Sequence, residues 1–299
     1  MDLIVSVNKP KDISSHDAVR KVKKILQAKK AGHTGTLDPM ATGLLIICTN
    51  RATRLADYFS SLHKEYRAIM KLGEATDTQD ACGRVVTKED VSNIDSDRIK
   101  RAVNSFKGRM LQLPPMFSAL KHQGKPLYKL ARKGIEIERK PREVNIYQIE
   151  LLDINIPYIE FKAVCSKGTY IRTLCDDIGK KLEVGAHLFE LERTAVGRFS
   201  LSESLTIEEL KSVDMEQPEG KGIYTKDNAL SWMPELKIEM SLVKSIKNGM
   251  PIEVSRVSGI SDEIKSARGI RIKSPDDELL AVASYRADKD TIKMDVVFA

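Results

Sequence analysis

The stretch AGHTGTLDPMATG, residues 31–43, constrains the fold more than any other part of the sequence. Its glycines, threonines and proline favour turns over regular structure, so it predicts an ordered loop. Apolar residues recur at helical spacing just before it, in a helix that Ser15 is placed to cap. The apolar run LLIIC follows it and is typical of a buried strand. The sequence therefore predicts a polar loop held between a helix and a sheet.

Alternating apolar residues predict strands in the rest of the chain. The segment EYRAIMKLG places Tyr66, Ala68, Met70 and Leu72 on one face, and VNIYQIELLDI and YIEFKAVCS are strand-like too. Helices are predicted near residues 51–62 and 96–106. A further helix begins within KGTYIRTLCDDIG and carries Arg172 in its first turn.

A change of pattern near Trp232 predicts a second domain. Short strand-like segments such as GIRIK and LLAVASY dominate from there on. A chain of 299 residues is long enough for two domains. We therefore predict a larger domain of residues 1–233 and a small, mostly β domain of residues 234–299.

The charge balance favours a polyanionic partner. The formal net charge is +7, and a basic arm over about residues 112–142 mixes cations with Tyr128. The arm's candidate RNA-binding residues are Lys121, Lys125, Lys129 and Arg132. The alternative is an ordinary solvated surface, which carries a similar balance in many proteins.

Targeting and metal-binding patterns are missing from the sequence. The start MDLIVSVNKP does not resemble a signal peptide, and no apolar run reaches the roughly 20 residues that span a bilayer, so a cytoplasmic location is expected. The cysteines, Cys48, Cys82, Cys165 and Cys175, lie far apart and are predicted to be free thiols. No metal site is predicted, although an alternative would place Mg²⁺ on Asp77 and Asp80 for RNA hydrolysis.

Several segments resemble the TruB family of tRNA pseudouridine synthases. The residues GHTGTLDP and ATG match the family's catalytic loop, and further matches follow in the family's order: KEYRA, GEATDTQDACG, QLPPMFSALKHQGKPLYKLARKG, CSKGTYIRTLCDDIG and LERTAVGRF. They cover residues 1 to about 200, whereas the C-terminal part resembles the family's small PUA-like RNA-binding domain more loosely. The resemblance implies an α+β fold, with a mixed, largely antiparallel central sheet flanked by helices.

The resemblance also implies the catalytic residues. Asp38 would be the essential carboxylate, acting either as a nucleophile at C1′ or by removing the 2′ proton. Arg172 would orient Asp38 through a salt bridge and keep it ionised by lowering its pKa. Tyr66 would stack on the flipped uracil and help to remove the C5 proton.

A second set is implied to bind the substrate. His33 would contact the rearranged RNA loop and Leu191 would line the base pocket. Lys64, Gly32, Thr34 and Gly35 complete this set.

The function implied by the resemblance is isomerisation of uridine 55 in the TΨC loop of tRNA. The base is flipped out, cleaved from C1′ and rejoined through C5, which requires no cofactor or metal. A monomer that works without a guide RNA is expected, although a guide-dependent branch of the family is an alternative. A tRNA-folding factor in which catalysis is secondary is the alternative from another class.

Overall fold

Strands make up most of the regular structure. The computed structural model describes residues 1–214 and 216–298. The strands are β1 (Ile4–Lys9), β2 (Ala31–His33), β3 (Thr42–Thr49), β4 (Lys64–Leu72), β5 (Glu74–Thr76), β6 (Val85–Lys88), β7 (Gly108–Gln112), β8 (Lys121–His122), β9 (Lys125–Pro126), β10 (Arg142–Asn155), β11 (Tyr158–Cys165), β12 (Ala186–Val196), β13 (Phe199–Ser200), β14 (Leu205–Thr206), β15 (Ile223–Tyr224), β16 (Glu235–Lys237), β17 (Ile252–Glu253), β18 (Ile270–Lys273), β19 (Leu279–Arg286) and β20 (Thr291–Val297).

The helices are mostly short. The α-helices are α1 (Ser15–Ile25), α2 (Ala56–Ser60), α3 (Ser96–Asn104), α4 (Leu127–Ala131), α5 (Ile171–Leu182), α6 (Ile207–Lys211), α7 (Lys226–Ala229), α8 (Met240–Lys247) and α9 (Asp262–Ser266), and 3₁₀ helices cover Asn50–Leu55, Leu201–Glu203 and Val254–Arg256. None of the described helices has the length and apolarity needed to cross a lipid bilayer.

One large sheet organises the first three quarters of the chain. It has 11 strands. Eight follow the path β14-β1-β3-β12-β4-β11-β10-β7, while β2 pairs with β3, β13 with β12 and β15 with β1. The pairs β1–β14 and β3–β12 are parallel and the other pairs are antiparallel. The predicted mixed, largely antiparallel sheet is therefore confirmed. The inward alternation of β4 from Tyr66 to Leu72 is also as predicted.

Three features near the sheet differ from the prediction. Helix α1 is capped by Ser14 and not by Ser15, because the Ser14 hydroxyl accepts from the Asp17 amide in a capping box. The helix predicted over residues 51–62 is a 3₁₀ segment followed by the single-turn helix α2. Part of the predicted loop is regular, since Ala31–His33 pairs with β3.

A separate five-stranded sheet, ordered β16-β18-β19-β20-β17, contains the last strands of the chain. Its apolar residues Leu279, Val282 and Val296, together with Phe298 directly after β20, pack with Ile4, Leu44 and Phe59 of the larger unit. Ion pairs join the units as well, because Arg271 and Lys273 on β18 both contact Asp227 of α7 at 2.8 Å. This sheet agrees with the small, mostly β, PUA-like unit expected from the sequence.

Candidate active site

The loop that carries Asp38 is clamped from two sides. The Ser15 hydroxyl exchanges hydrogen bonds of 2.8 Å with both the amide and the carbonyl of Leu37. The buried Lys9 ammonium donates to the carbonyls of Pro10, Ile13 and Pro39. These bonds satisfy main-chain groups that a glycine-rich and threonine-rich loop would otherwise expose, and they hold Asp38 in one place.

Asp38 lies at a cavity of about 550 Å³, a size suited to a nucleoside. The predicted site residues that line it are Thr34, Gly35, Asp38, Lys64, Tyr66, Arg172 and Leu191. Strands β4 and β12, helix α5 and the loop that carries Asp38 each contribute to this set. The fold thus brings together residues that are far apart in sequence.

Arg172 is shared between two carboxylates. It is 5% exposed, and its Nη2 lies 3.4 Å from Oδ2 of Asp38 while its Nη1 lies 3.5 Å from Oδ2 of Asp80. The same Nη2 donates to the carbonyl of Phe117 at 2.6 Å, at the start of the basic arm. The predicted contact between Arg172 and Asp38 is present, but Asp38 does not have the arginine to itself.

The net pKa shift of Asp38 is opposite in direction to the effect of Arg172. Burial raises the pKa of Asp38 above its usual value, and the nearby Asp80 adds to that rise. Arg172 and Lys9 act in the opposite direction without cancelling the effect of burial. Arg172 thus acts on the pKa of Asp38 in the expected direction, but the net shift is upward because removal from water outweighs the arginine.

Tyr66 forms part of the cavity wall with a buried hydroxyl. The side chain is 8% exposed, and Arg193 is its direct partner across the β4–β12 pair. Burial raises the pKa of Tyr66, while the adjacent Arg193 guanidinium opposes that shift. Tyr66 is thus a neutral hydroxyl at neutral pH with a flat ring beside the cavity.

Three groups of predicted RNA contacts lie outside the cavity wall. Gly32 and His33 are on β2, and Nδ1 of His33 is buried with no hydrogen-bond partner among the described residues. Lys121 and Lys125 lie on the β8–β9 hairpin, and Lys129 and Arg132 lie on or next to α4. All four of these arm cations are solvent-exposed.

The structure disfavours the Mg²⁺ alternative for Asp77 and Asp80. The Asp80 carboxylate faces Arg172 and accepts bonds from the Thr78 hydroxyl and the Cys82 amide. Asp77 accepts from the Arg84 amide. Since these oxygens already have positive or hydrogen-bonding partners, a cation would have to displace them.

Sequence reasoning missed the roles of Asp80 and Arg193. Nothing in the local pattern TDTQD indicates that Asp80 reaches an arginine 92 positions away. Arg193, in contrast, lies two residues after Leu191 on β12, so the strand period alone places both on one face. That spacing was the available indication, and Arg193 is 2% exposed.

A carboxylate, an arginine and a tyrosine around a nucleoside-sized cavity over a mixed sheet define a pseudouridine synthase, and solved structures agree. A crystal structure of a Cbf5-Nop10-Gar1 complex matches 99% of this chain and 84% of that chain, with a TM-score of 0.76 and 28% identity. A structure of an H/ACA RNP bound to a substrate RNA matches 99% of this chain and 85% of the other, with a TM-score of 0.73 and 25% identity.

The chain belongs to the TruB family. The model of the TruB family pseudouridylate synthase N-terminal domain matches residues 23–171, and that of the tRNA pseudouridylate synthase B C-terminal domain matches residues 172–226. Curated relatives named tRNA pseudouridine synthase B include one from Clostridium tetani, 46% identical over 92% of this chain and 93% of the relative. Another, from Vibrio atlanticus, is 44% identical over 84% of this chain and 82% of the relative. The predicted family and its isomerase activity are thus confirmed.

Proposed function

We propose that the protein isomerises uridine 55 in the T-arm of tRNA to pseudouridine, with Asp38 as the essential carboxylate. The observation that carries this proposal is the position of Asp38, clamped in its loop at a nucleoside-sized cavity and contacted by Arg172. The relatives named tRNA pseudouridine synthase B support tRNA as the substrate. The position within tRNA follows from the family to which the chain belongs.

Asp38 acts where positive charge develops. Cleavage of the N1–C1′ bond leaves C1′ electron-deficient, and an anionic oxygen beside that carbon stabilises the transition state. Either addition of the carboxylate to C1′ or removal of the 2′ proton is compatible with this placement. Arg172 holds the carboxylate in position, and the raised pKa of Asp38 means that the reactive ionised form is a strong base for a carboxylate.

Tyr66 and Leu191 bind the flipped base. The ring of Tyr66 and the apolar side chain of Leu191 both line the cavity, where stacking and exclusion of water favour a planar base. We propose that Tyr66 helps to remove the C5 proton, with its neutral hydroxyl accepting that proton as it passes its own proton on to a base. Thr34, Gly35 and Lys64 also line the cavity and are assigned to substrate binding.

The remaining RNA contacts surround the cavity. Gly32 and His33 on β2 are assigned to the RNA loop that is left after the base is extruded. The arm cations Lys121, Lys125, Lys129 and Arg132 are assigned to phosphates, because they are exposed and none forms an ion pair among the described residues. The small unit of residues 234–299, which lies beyond both family matches, is assigned to further RNA binding as a PUA-like domain.

We further propose that the enzyme works as a cytoplasmic monomer without a guide RNA. The curated relatives cited above are 44–46% identical to this chain, whereas the solved Cbf5 complex and the H/ACA RNP are 28% and 25% identical. The folding-factor alternative is not favoured, because a binding surface alone does not require a clamped carboxylate beside a shared arginine.

The test is release of tritium from a tRNA transcript labelled at uracil C5. The wild-type protein should release tritium in EDTA with no guide RNA added and with the RNA chain intact. Asp38→Asn should bind the transcript and release none. Transcripts in which uridine 55 is replaced by cytidine serve as the control. No release from well-bound RNA would favour the folding factor.

A further inference from the structure

Two cations are buried together in the wall of the cavity. Lys64 is 6% exposed and Arg193 is 2% exposed, and both line the cavity beside Tyr66. Both side chains lie close to Gly35 of the loop that carries Asp38. A Cβ on that glycine would lie 3.5 Å from Nη1 of Arg193 and 3.9 Å from Cε of Lys64. The two side chains therefore converge on one part of the catalytic loop.

Neither cation has a carboxylate partner within the described part of the chain. Lys64 donates to the carbonyls of Ser60 and Leu62, at 2.6 and 2.7 Å. Arg193 donates to those of Leu44 and Gly35, at 2.7 and 3.1 Å. An ammonium has three N–H groups and a guanidinium five, so both retain donors beyond these bonds. Burying unpaired charge is costly, which calls for a compensating role.

The charges are also distributed unevenly around the cavity. Asp38 is in contact with Arg172, whereas Arg193 and Lys64 lie on the side of Tyr66. Burial lowers the pKa of Lys64 to about 8, and repulsion from Arg193 adds to that shift. An anion that entered this side of the cavity would relieve the repulsion.

We propose that Lys64 and Arg193 stabilise the uracil as it leaves the sugar as an anion. In this step the N1–C1′ bond breaks and its electron pair stays on N1, so the free base carries a negative charge. C1′ becomes electron-deficient and is satisfied by Asp38 or by loss of the 2′ proton. C5 of the anion then forms the new bond to C1′ as the bond to Asp38 breaks or the 2′ proton returns. Loss of the C5 proton and gain of a proton at N1 complete the isomerisation. The inference rests on the proposed use of this cavity for the target uridine.

This assignment explains why the cations are unpaired in the resting protein. Uridine is neutral, so it gains little from the two charges when it binds. The gain grows as negative charge develops on the base, and stabilisation that appears only in the transition state accelerates the reaction. A carboxylate beside Lys64 or Arg193 would remove that difference.

The test compares uridine with 5-fluorouridine at the target position of the same tRNA transcript. Fluorine withdraws electron density, so the fluorinated base is a better leaving group and needs less help from the protein. Single-turnover conversion to the C-glycoside is measured by nuclease digestion and chromatography. Arg193→Met and Lys64→Met should each slow uridine conversion by about 10²-fold and slow 5-fluorouridine conversion clearly less. Equal losses on both substrates would overturn the proposal.

The ratio of the two rates protects the test against misfolding. Arg193→Met leaves two carbonyls without this donor, but both substrates report on the same folded fraction even where part of the protein unfolds. Arg193→Lys keeps the charge and should restore most of the wild-type ratio. Lys167→Met removes an exposed cation from the rim of the same cavity and should leave the ratio unchanged. If Lys167→Met shifted the ratio as much as Arg193→Met and Lys64→Met do, the cause would be a general charge effect, and the proposal would be contradicted.

Failure of this inference is distinct from failure of the proposed function. A wild-type protein that converts uridine, combined with variants that lose both substrates equally, refutes only the role of the two cations. A wild-type protein that converts neither substrate refutes the assigned reaction itself.

Discussion

The ionic cluster at the cavity and the one that joins the C-terminal sheet to the larger unit are built from the same kinds of side chain. At the junction, Arg271 and Lys273 share Asp227 at 2.8 Å, and Arg271 also contacts Glu235 at 3.1 Å. At the cavity, Arg172 contacts its two carboxylates at 3.4 and 3.5 Å.

The two clusters differ in how completely their charges are paired. The junction matches two cations with two carboxylates at hydrogen-bond distance, which stabilises a fixed contact. The cavity has longer contacts, two carboxylates on one arginine and two cations with none. Charges that are incompletely satisfied cost stability and remain available to a substrate. The comparison therefore predicts that the cavity governs activity and the junction governs stability.

The largest expected effect is that of Asp38→Asn on catalysis. Conversion of uridine should fall by about 10⁴-fold or more, because no other group can stabilise C1′ in the same way. Binding of tRNA, measured by filter retention, should be nearly unchanged. Asp77→Asn is the matched control and should keep activity, since among the described residues the Asp77 carboxylate bonds only to Arg84 in its own loop.

The same substitution should affect stability in the opposite direction. The pKa of Asp38 is higher in the folded than in the unfolded protein. The contribution of Asp38 to stability is therefore largest below its unfolded pKa and is lost as pH rises through its folded pKa. At neutral pH the ionised carboxylate is destabilising. Asp38→Asn should raise the free energy of unfolding by about 1 kcal/mol or less in urea titrations at pH 7, despite the loss of one Arg172 partner. A marked loss of stability would show that Asp38 stabilises the fold through its ion pair, as the carboxylates at the junction do.

Asp80→Asn should have the next largest effect. Arg172 would lose one of its two anionic partners and shift, and a small misplacement of Asp38 costs about 10²-fold in rate. Because the Asp80 charge raises the pKa of Asp38, its removal should move the acid limb of the rate profile to lower pH. Arg172→Met should move the limb to higher pH. If Asp80→Asn and Arg172→Met moved the acid limb in the same direction, the sharing of Arg172 between Asp38 and Asp80 would be refuted.

The junction is tested by Asp227→Asn. Arg271 and Lys273 would then share Glu235 alone, and loss of bonds to a charged group should lower the free energy of unfolding by about 1–2 kcal/mol. The rate per folded molecule at saturating tRNA should stay unchanged. Urea unfolding and single-turnover assays on one preparation give both values. A lower rate with an unchanged free energy of unfolding would show that the junction governs activity and not stability, contrary to the prediction.

The smallest effect concerns the exposed cations of the arm. Arg132 stacks on the Tyr128 ring at 5.6 Å and is exposed. Arg132→Ala should weaken tRNA binding only a few-fold and reduce the salt dependence of binding by about one phosphate contact. Lys211→Ala, which removes a cation paired with Glu208 outside the arm, should leave the salt dependence unchanged.

Much of the fold was predictable because its causes are local. The alternation in β4 and the turn chemistry around Asp38 depend on neighbouring residues, and the first turn of α5 carries Arg172 as its sequence indicates. The cap of α1 was misplaced by one residue, although Asp17, three residues after Ser14, was the available indication of a capping box. Only the fold shows that Ser15 bonds instead to Leu37.

The sequence by itself determined the family and the kinds of element that carry the site, and it singled out Asp38 as the proposed catalytic carboxylate. The tertiary structure alone decided which charges meet. Arg172 reaches Asp38 across 134 positions and Asp80 across 92, and no local pattern encodes those contacts. The upward shift of the Asp38 pKa and the unpaired burial of Lys64 and Arg193 have the same origin. Desolvation depends on everything that surrounds a group, and that set exists only once distant strands have packed together.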